Sequence, residues 1–181
     1  MNDGMSEASA KMLVLAGQAF ACVKIIGRAN FSSSIDFKTL VDELRQKGYT
    51  FFVLDLSECV LMDSTFLGVL AGLGLKMGVG NKDGNGAAIE LLNPNARITE
   101  LLENLGVLHL FKLRQGSVSM PESIEPREHC ALPADKEDVK RACLEAHQTL
   151  MEIHPDNVPK FKDLAQFLAE DLKKLKGVAG K

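Results

Sequence analysis

The sequence has no histidine before His109, no C-x-x-C pair and no apolar run of the roughly 18 residues that a membrane span needs. Each absence narrows what the chain can do. The first hundred residues offer no imidazole base to activate a serine, so a hydroxyl there is better cast as a substrate than as a nucleophile. The four cysteines, Cys22, Cys59, Cys130 and Cys143, stand far apart and imply reduced thiols in a cytoplasm rather than a disulfide framework. The start, MNDGMSEASAK, is polar and acidic, the opposite of a secretory signal. A large charge of one sign is also missing. Residues 1–116 carry 11 Lys/Arg against 12 Asp/Glu, and residues 117–181 carry 10 against 12, so neither part has the basic footprint of a nucleic-acid binder. The glycines spell neither G-x-x-x-x-G-K-[ST] nor G-x-G-x-x-G, which leaves no nucleotide loop. No internal repeat is evident. With 46% hydrophobic residues, the 181-residue chain can build one sizeable core and an appendage.

What is present centres on residues 51–77, FFVLDLSECVLMDSTFLGVLAGLGLKM. The apolar run 51–56 predicts a central strand covered on both faces, followed by a short crossing loop. Asp63, Ser64 and Thr65 then supply the oxygens that cap a helix start. Phe66, Leu67, Val69, Leu70, Leu73 and Met77 recur at helical spacing. Gly68, Gly72 and Gly74 each cost that helix about 1 kcal/mol of propensity, which predicts close approach of its backbone to the sheet.

Around this unit, residues 12–15 and 19–26 predict a hairpin, and Ile35, Leu40, Val41 and Leu44 form the stripe of a helix stopped at Gly48. Residues 88–92 predict another strand. Asn93 is placed to cap a helix with Pro94 in its first position, and Gly106 to end it. Residues 107–113 predict a last strand. Strands alternating with helices imply an α/β fold with parallel strand pairs. Pro121, Pro126 and Pro133 mark a linker over 117–134. Two amphipathic helices follow, one capped by Asp135 and running to Ile153, the other capped by Asp156 or Asn157 and stopped at Gly177. The organisation expected is therefore a domain over 1–116, a linker over 117–134 and a helical extension over 135–181. The extension's apolar stripes should pack on each other and on the domain, or on a second subunit.

The stretch DLSECVLMDSTFLGVLAGL resembles the signature of the STAS domain, the module of bacterial anti-sigma factor antagonists, in which a hydrophobic strand precedes D-S-S-G-L-G. The resemblance covers residues from about 10 to 115, and RITELLENLGV with Phe111 matches the family's last helix and strand in pattern. Thr65-Phe66 stand where the family commonly has Ser-Gly, and Asn30 replaces the carboxylate of its G-x-x-D. The resemblance implies a STAS-like mixed sheet with helices packed against it, extended here by the two C-terminal helices. It makes Ser64 the phosphoacceptor of a partner kinase. Asp63, Thr65, Phe66 and Asn30 become partner-binding residues, and Asp55 a possible neighbour. The implied activity is partner switching in signal transduction and transcription regulation. An anti-sigma factor with serine kinase activity docks on the unmodified surface, phosphorylation blocks it, and a serine phosphatase resets it. No cofactor, metal, nucleic acid or membrane is implied, homo-oligomers are open, and the chain is not expected to be an enzyme.

Residue chemistry alone allows blander readings. Ser64 and Thr65 are also ordinary first-turn residues. Phe66 fits an exposed interface anchor and a core filler about equally well. The run Asn81-x-Asp83-x-Asn85-Gly86 imitates a calcium loop but has Leu92 where a glutamate is needed, so a turn is expected. Cys130, Cys143, His147 and His129 match no zinc spacing, and Cys143 falls on an apolar stripe. The alternatives to a switch are a non-switching scaffold of a larger complex, or a small-ligand sensor with a pocket beside the first turn of the switch helix.

Overall fold

The computed structural model describes residues 9–18, 20–78, 88–118, 125–130 and 133–178. The turn-rich loop over 80–86, with its calcium-like spacing, lies outside them. Lys11–Ala16 (β1) and Ala21–Ala29 (β2) pair as an antiparallel hairpin with Val14 opposite Val23. Helix Phe31–Gln46 (α1) starts at a capping box, with Asn30 accepting from the Ser33 amide and Ser33 Oγ accepting from the Asn30 amide. Gly48, at φ +98°, ends it as expected.

The central strand is longer than predicted. Phe52–Met62 (β3) has no crossing loop after Leu56; it stays paired in parallel with β2 to Met62, slipping register twice on the way. Ser57 and Glu58 read as loop residues in sequence, but they are exposed positions of a continuing strand. The strand therefore delivers the chain straight into helix Ser64–Gly78 (α2). Ile89–Leu92 (β4) pairs in parallel with β3 and is followed by helix Ala96–Asn104 (α3). The α3 cap is Asn95, not Asn93: Asn95 Oδ1 accepts from the Ile98 amide. Asn93 sits at φ +54° with its amide spent on both backbone groups of Gly116. The predicted strand over 107–113 divides into a 3-10 turn, Leu108–Leu110, and a short strand, Lys112–Arg114 (β5), parallel to β4. Within the expected linker, Arg127–Glu128 (β6) joins the sheet antiparallel to β1. The order across the sheet is β5-β4-β3-β2-β1-β6.

Alternation along β2 and β3 puts Val23, Ile25, Phe52, Leu54 and Leu56 on the face covered by helices, where they form the main core with α1, α2 and α3. Among the described residues, the opposite face carries a smaller cluster, Cys22, Val53 and Leu92 with Leu15, Phe20, Phe51 and Val118 packed against them, beside Lys24 and Asp55. Val53 of β3 is buried on that face too, so the central strand is covered on both faces as expected, more thickly on the helix side.

Helix Lys136–Ile153 (α4) begins at Asp135, whose Oδ1 accepts from the Asp138 amide at 2.8 Å. A 3-10 turn, Pro155–Asn157, leads into helix Val158–Val178 (α5). The two helices pack on each other through Lys140 and Asp171, and α4 packs on α2 and α1. Asn157 is not a cap. It is fully buried, and its Nδ2 donates to the Leu105 carbonyl at the end of α3 (2.9 Å) and to the Leu150 carbonyl of α4 (2.8 Å). Gly106, at φ +67°, leaves room for the His154 ring, which a Cβ there would meet at 2.4 Å. The extension is thus stitched to the domain at its turn.

Burial also sets the reactivity of the thiols. It pushes Cys22 and Cys59 up to about 11, whereas Cys130 is exposed. At pH 8 only about one in a thousand of the buried pair is thiolate. A timed iodoacetamide pulse on native protein, read by mass spectrometry, should label Cys130 and leave Cys22 and Cys59 unmodified. Equal labelling of Cys22 and Cys130 would contradict this burial. Unfolded thiols titrate near about 8.5. The stability these two groups hold is therefore complete below that pH and is lost as pH rises through about 11.

Candidate functional site

Asp63 joins β3 to α2, and its backbone N–H donates to the Ala29 carbonyl at the end of β2. Its Oδ1 accepts from the Phe66 amide at 2.8 Å and its Oδ2 from the Phe31 amide at 2.7 Å. One carboxylate thus serves the first turns of both α2 and α1. Burial raises its pKa, and the N–H bonds from Phe66, Phe31 and Thr65, with His147 nearby, pull it partly back.

Ser64, half-buried, is the first residue of α2. Its Oγ lies 2.9 Å from Nε2 of His147, a residue of α4 that is 2% exposed. The other ring nitrogen, Nδ1, lies 2.7 Å from the Cys143 carbonyl. A carbonyl can only accept, so Nδ1 carries the hydrogen, and in the neutral ring Nε2 accepts the Ser64 hydroxyl proton. A serine paired with an imidazole is a nucleophile's pairing in outline. Here it lies in the seam between two helices and joins them.

The neighbouring side chains face the same seam or the core. Thr65 is buried and donates from Oγ1 to Cys143 Sγ at 3.6 Å. Phe66 is wholly buried, its ring 4.9 Å from that of Phe37, which decides between its two sequence readings in favour of core filler. Asn30 is buried in the capping box. Asp55 accepts from the Ser57 amide beside it. In this conformation Asn30, Thr65 and Phe66 are out of reach of a docking partner.

The α2 glycines do not bring it close to the sheet, as the sequence suggested; they admit α4 and the turn before β5. A Cβ on Gly68 would stand 2.5 Å from the Ala146 carbonyl oxygen, and Gly74 packs on Phe111. Between α2 and α4 a cavity of about 90 Å³ remains, lined by Gly68, Gly72, Ala146 and Thr149 among others. Ligand sites usually enclose about 300 Å³ or more, so this gap suits no small ligand. Among the described residues, no three His, Cys, Asp or Glu side chains gather as metal ligands.

His147 is weighed in the sequence only as a zinc ligand, and neither its pairing with Ser64 nor the seat of Ala146 on Gly68 is foreseen there. The available signal was a match of small residues, Gly68 and Gly72 on one helix with Ala142, Ala146 and Thr149 on another, and a histidine set among the latter.

Residues 13–119 match the STAS domain family, and the chain belongs to it. Two solved structures are similar. One is a crystal structure of a candidate anti-sigma factor antagonist from Thermotoga maritima, at 24% identity and a TM-score of 0.44, covering 51% of this chain and 78% of that one. The other is the anti-sigma factor antagonist SpoIIAA in its unphosphorylated form, at 14% identity and a TM-score of 0.48, covering 57% of this chain and 87% of that one. No curated protein sequence matches the chain. Among the described residues, no helix is long and apolar enough to cross a membrane.

Proposed function

We propose that this STAS domain is a phosphorylation-controlled interaction module that switches partners in the manner of anti-sigma factor antagonists, with Ser64 as its phosphoacceptor. The supporting observation is the placement of Ser64 as the first residue of α2, directly after Asp63, which anchors α1 and α2 together. A helix N-terminus tolerates the −1.5 to −2 charges of a phosphate, so the fold can survive modification while a docked surface cannot. In the transfer, the γ-phosphoryl group of ATP bound to a serine kinase passes to Ser64 Oγ. The Oγ–P bond forms, the bond from the γ-phosphorus to ADP breaks, and the hydroxyl proton leaves to a base of the kinase. Hydrolysis by a serine phosphatase restores the hydroxyl. The setting is cytoplasmic, and the chain acts by binding rather than by catalysis.

Phosphopeptide mass spectrometry tests this on chains isolated from cells. The wild type should carry phosphate at position 64 and Ser64→Ala should carry none in that peptide. Equal modification of both would move the site to Thr65 or elsewhere. One observation favours the non-switching scaffold as a second reading, the cover that α4 lays over Ser64. A wild-type chain without phosphate at Ser64 under any growth condition would support it.

A further inference from the structure

We propose that the α4–α5 hairpin is the resident occupant of the Ser64 docking face, and that a phosphate on Ser64 expels it. This rests on Ser64 being the phosphoacceptor and adds how that site is regulated.

Space comes first. With Nε2 of His147 only 2.9 Å from Ser64 Oγ, a phosphoryl group on that oxygen stands where the imidazole edge is. The ring cannot swing aside cheaply, because it is buried and packs on the Phe161 ring of α5, with centroids 4.8 Å apart. Nor does α4 have slack one residue earlier, where Ala146 rests on the bare backbone of Gly68. Hydrogen-bond polarity points the same way. Nδ1 is committed to the Cys143 carbonyl, so the neutral ring offers Ser64 a lone pair. The hydroxyl supplies the proton that makes the contact a bond; a phosphate ester has lost it and brings only acceptors and negative charge, next to the Asp63 carboxylate.

The hairpin thus behaves as an internal substitute for the external partner. Both need an unmodified Ser64, and both lose their seat when it is phosphorylated. The kinase reaches the hydroxyl only in the open form, and each transfer then holds the hairpin off. What is released from the domain includes Ala146 and Leu150, both buried in the closed form, while Leu168 and Leu172 stay covered within the hairpin by α4.

The test uses the full-length chain with phosphoserine installed at position 64 during translation, so that no kinase is required. Backbone hydrogen exchange is compared with that of the unmodified chain. Amides of α4 should exchange at least tenfold faster with phosphoserine, while those of β2 and β3 stay as slow as before. Gly68→Ala serves as a phosphate-free opener, since its added methyl has no room under the Ala146 carbonyl while alanine favours α2 itself. It should give the same pattern. Unchanged or slower exchange in α4 of the phosphoserine chain overturns the proposal, as an imidazolium clasping the phosphate would produce. Loss of protection across the sheet also overturns it, because release is confined to the hairpin. Neither result touches the identity of the phosphoacceptor, which the cellular phosphopeptides decide separately.

Discussion

Replacing Phe66 by glycine should lower the unfolding free energy by about 4–6 kcal/mol. The ring is wholly buried and tilted against Phe37. Truncating a core phenylalanine costs about 3–5 kcal/mol through lost transfer energy and the cavity left behind. Glycine in the first turns of α2 adds up to about 1 kcal/mol of helix cost. For a chain of this length each kcal/mol lowers Tm by about 2–4 °C, so a fall of at least about 8 °C is expected in a thermal melt. A variant that melts within about 3 °C of the wild type and loses only partner affinity would show the ring to be an exposed anchor after all.

Asn157→Ala should cost about 2–4 kcal/mol, read as a shift in the urea unfolding midpoint. The amide donates two hydrogen bonds inside the protein, and a buried carbonyl left without its donor costs about 1–3 kcal/mol. Leu150 O keeps a second donor, the His154 amide at 3.2 Å, so the larger share of the loss falls on Leu105 O and on the vacated volume. Because this one side chain ties α3 to α4, the hairpin should come loose before the sheet does. An unchanged midpoint would mean that water replaces the amide without loss.

How much of this was legible depended on the range of the interaction that decides each feature. The cap at Asp135, the stop at Gly48 and the extent of α2 follow from neighbours a few residues away, and they read correctly. Asn93 and Asn95 offer the same cap chemistry on either side of Pro94; what separates them is the bond from Asn93 to Gly116, 23 residues on. The strand β3 outlasts its apolar run because pairing with β2 carries it through Ser57 and Glu58. β6 was hidden among prolines for a similar reason, since two residues pair only because β1 has a free edge. At the site, the order Asp63-Ser64 was readable as a helix start. The partner of Ser64 was not, for His147 lies 83 residues away and its direction is set by how α4 docks. The glycines of α2 signalled close approach, but not which element approaches.

The short pairing of β6 with β1 sets the length of a leash. Seven residues separate Glu128, the last residue of β6, from Lys136, the first of α4. Even fully stretched, they span only about 25 Å. A hairpin lifted from α2 therefore stays within a small sphere around its seat, at an effective concentration on the order of millimolar. A partner arriving at micromolar levels competes against that reservoir at a disadvantage of about a thousandfold, before differences in affinity are counted. Lengthening the leash, rather than weakening any contact, would then be the gentlest way to sensitise the switch, because dilution of the tethered helix leaves both bound states chemically untouched.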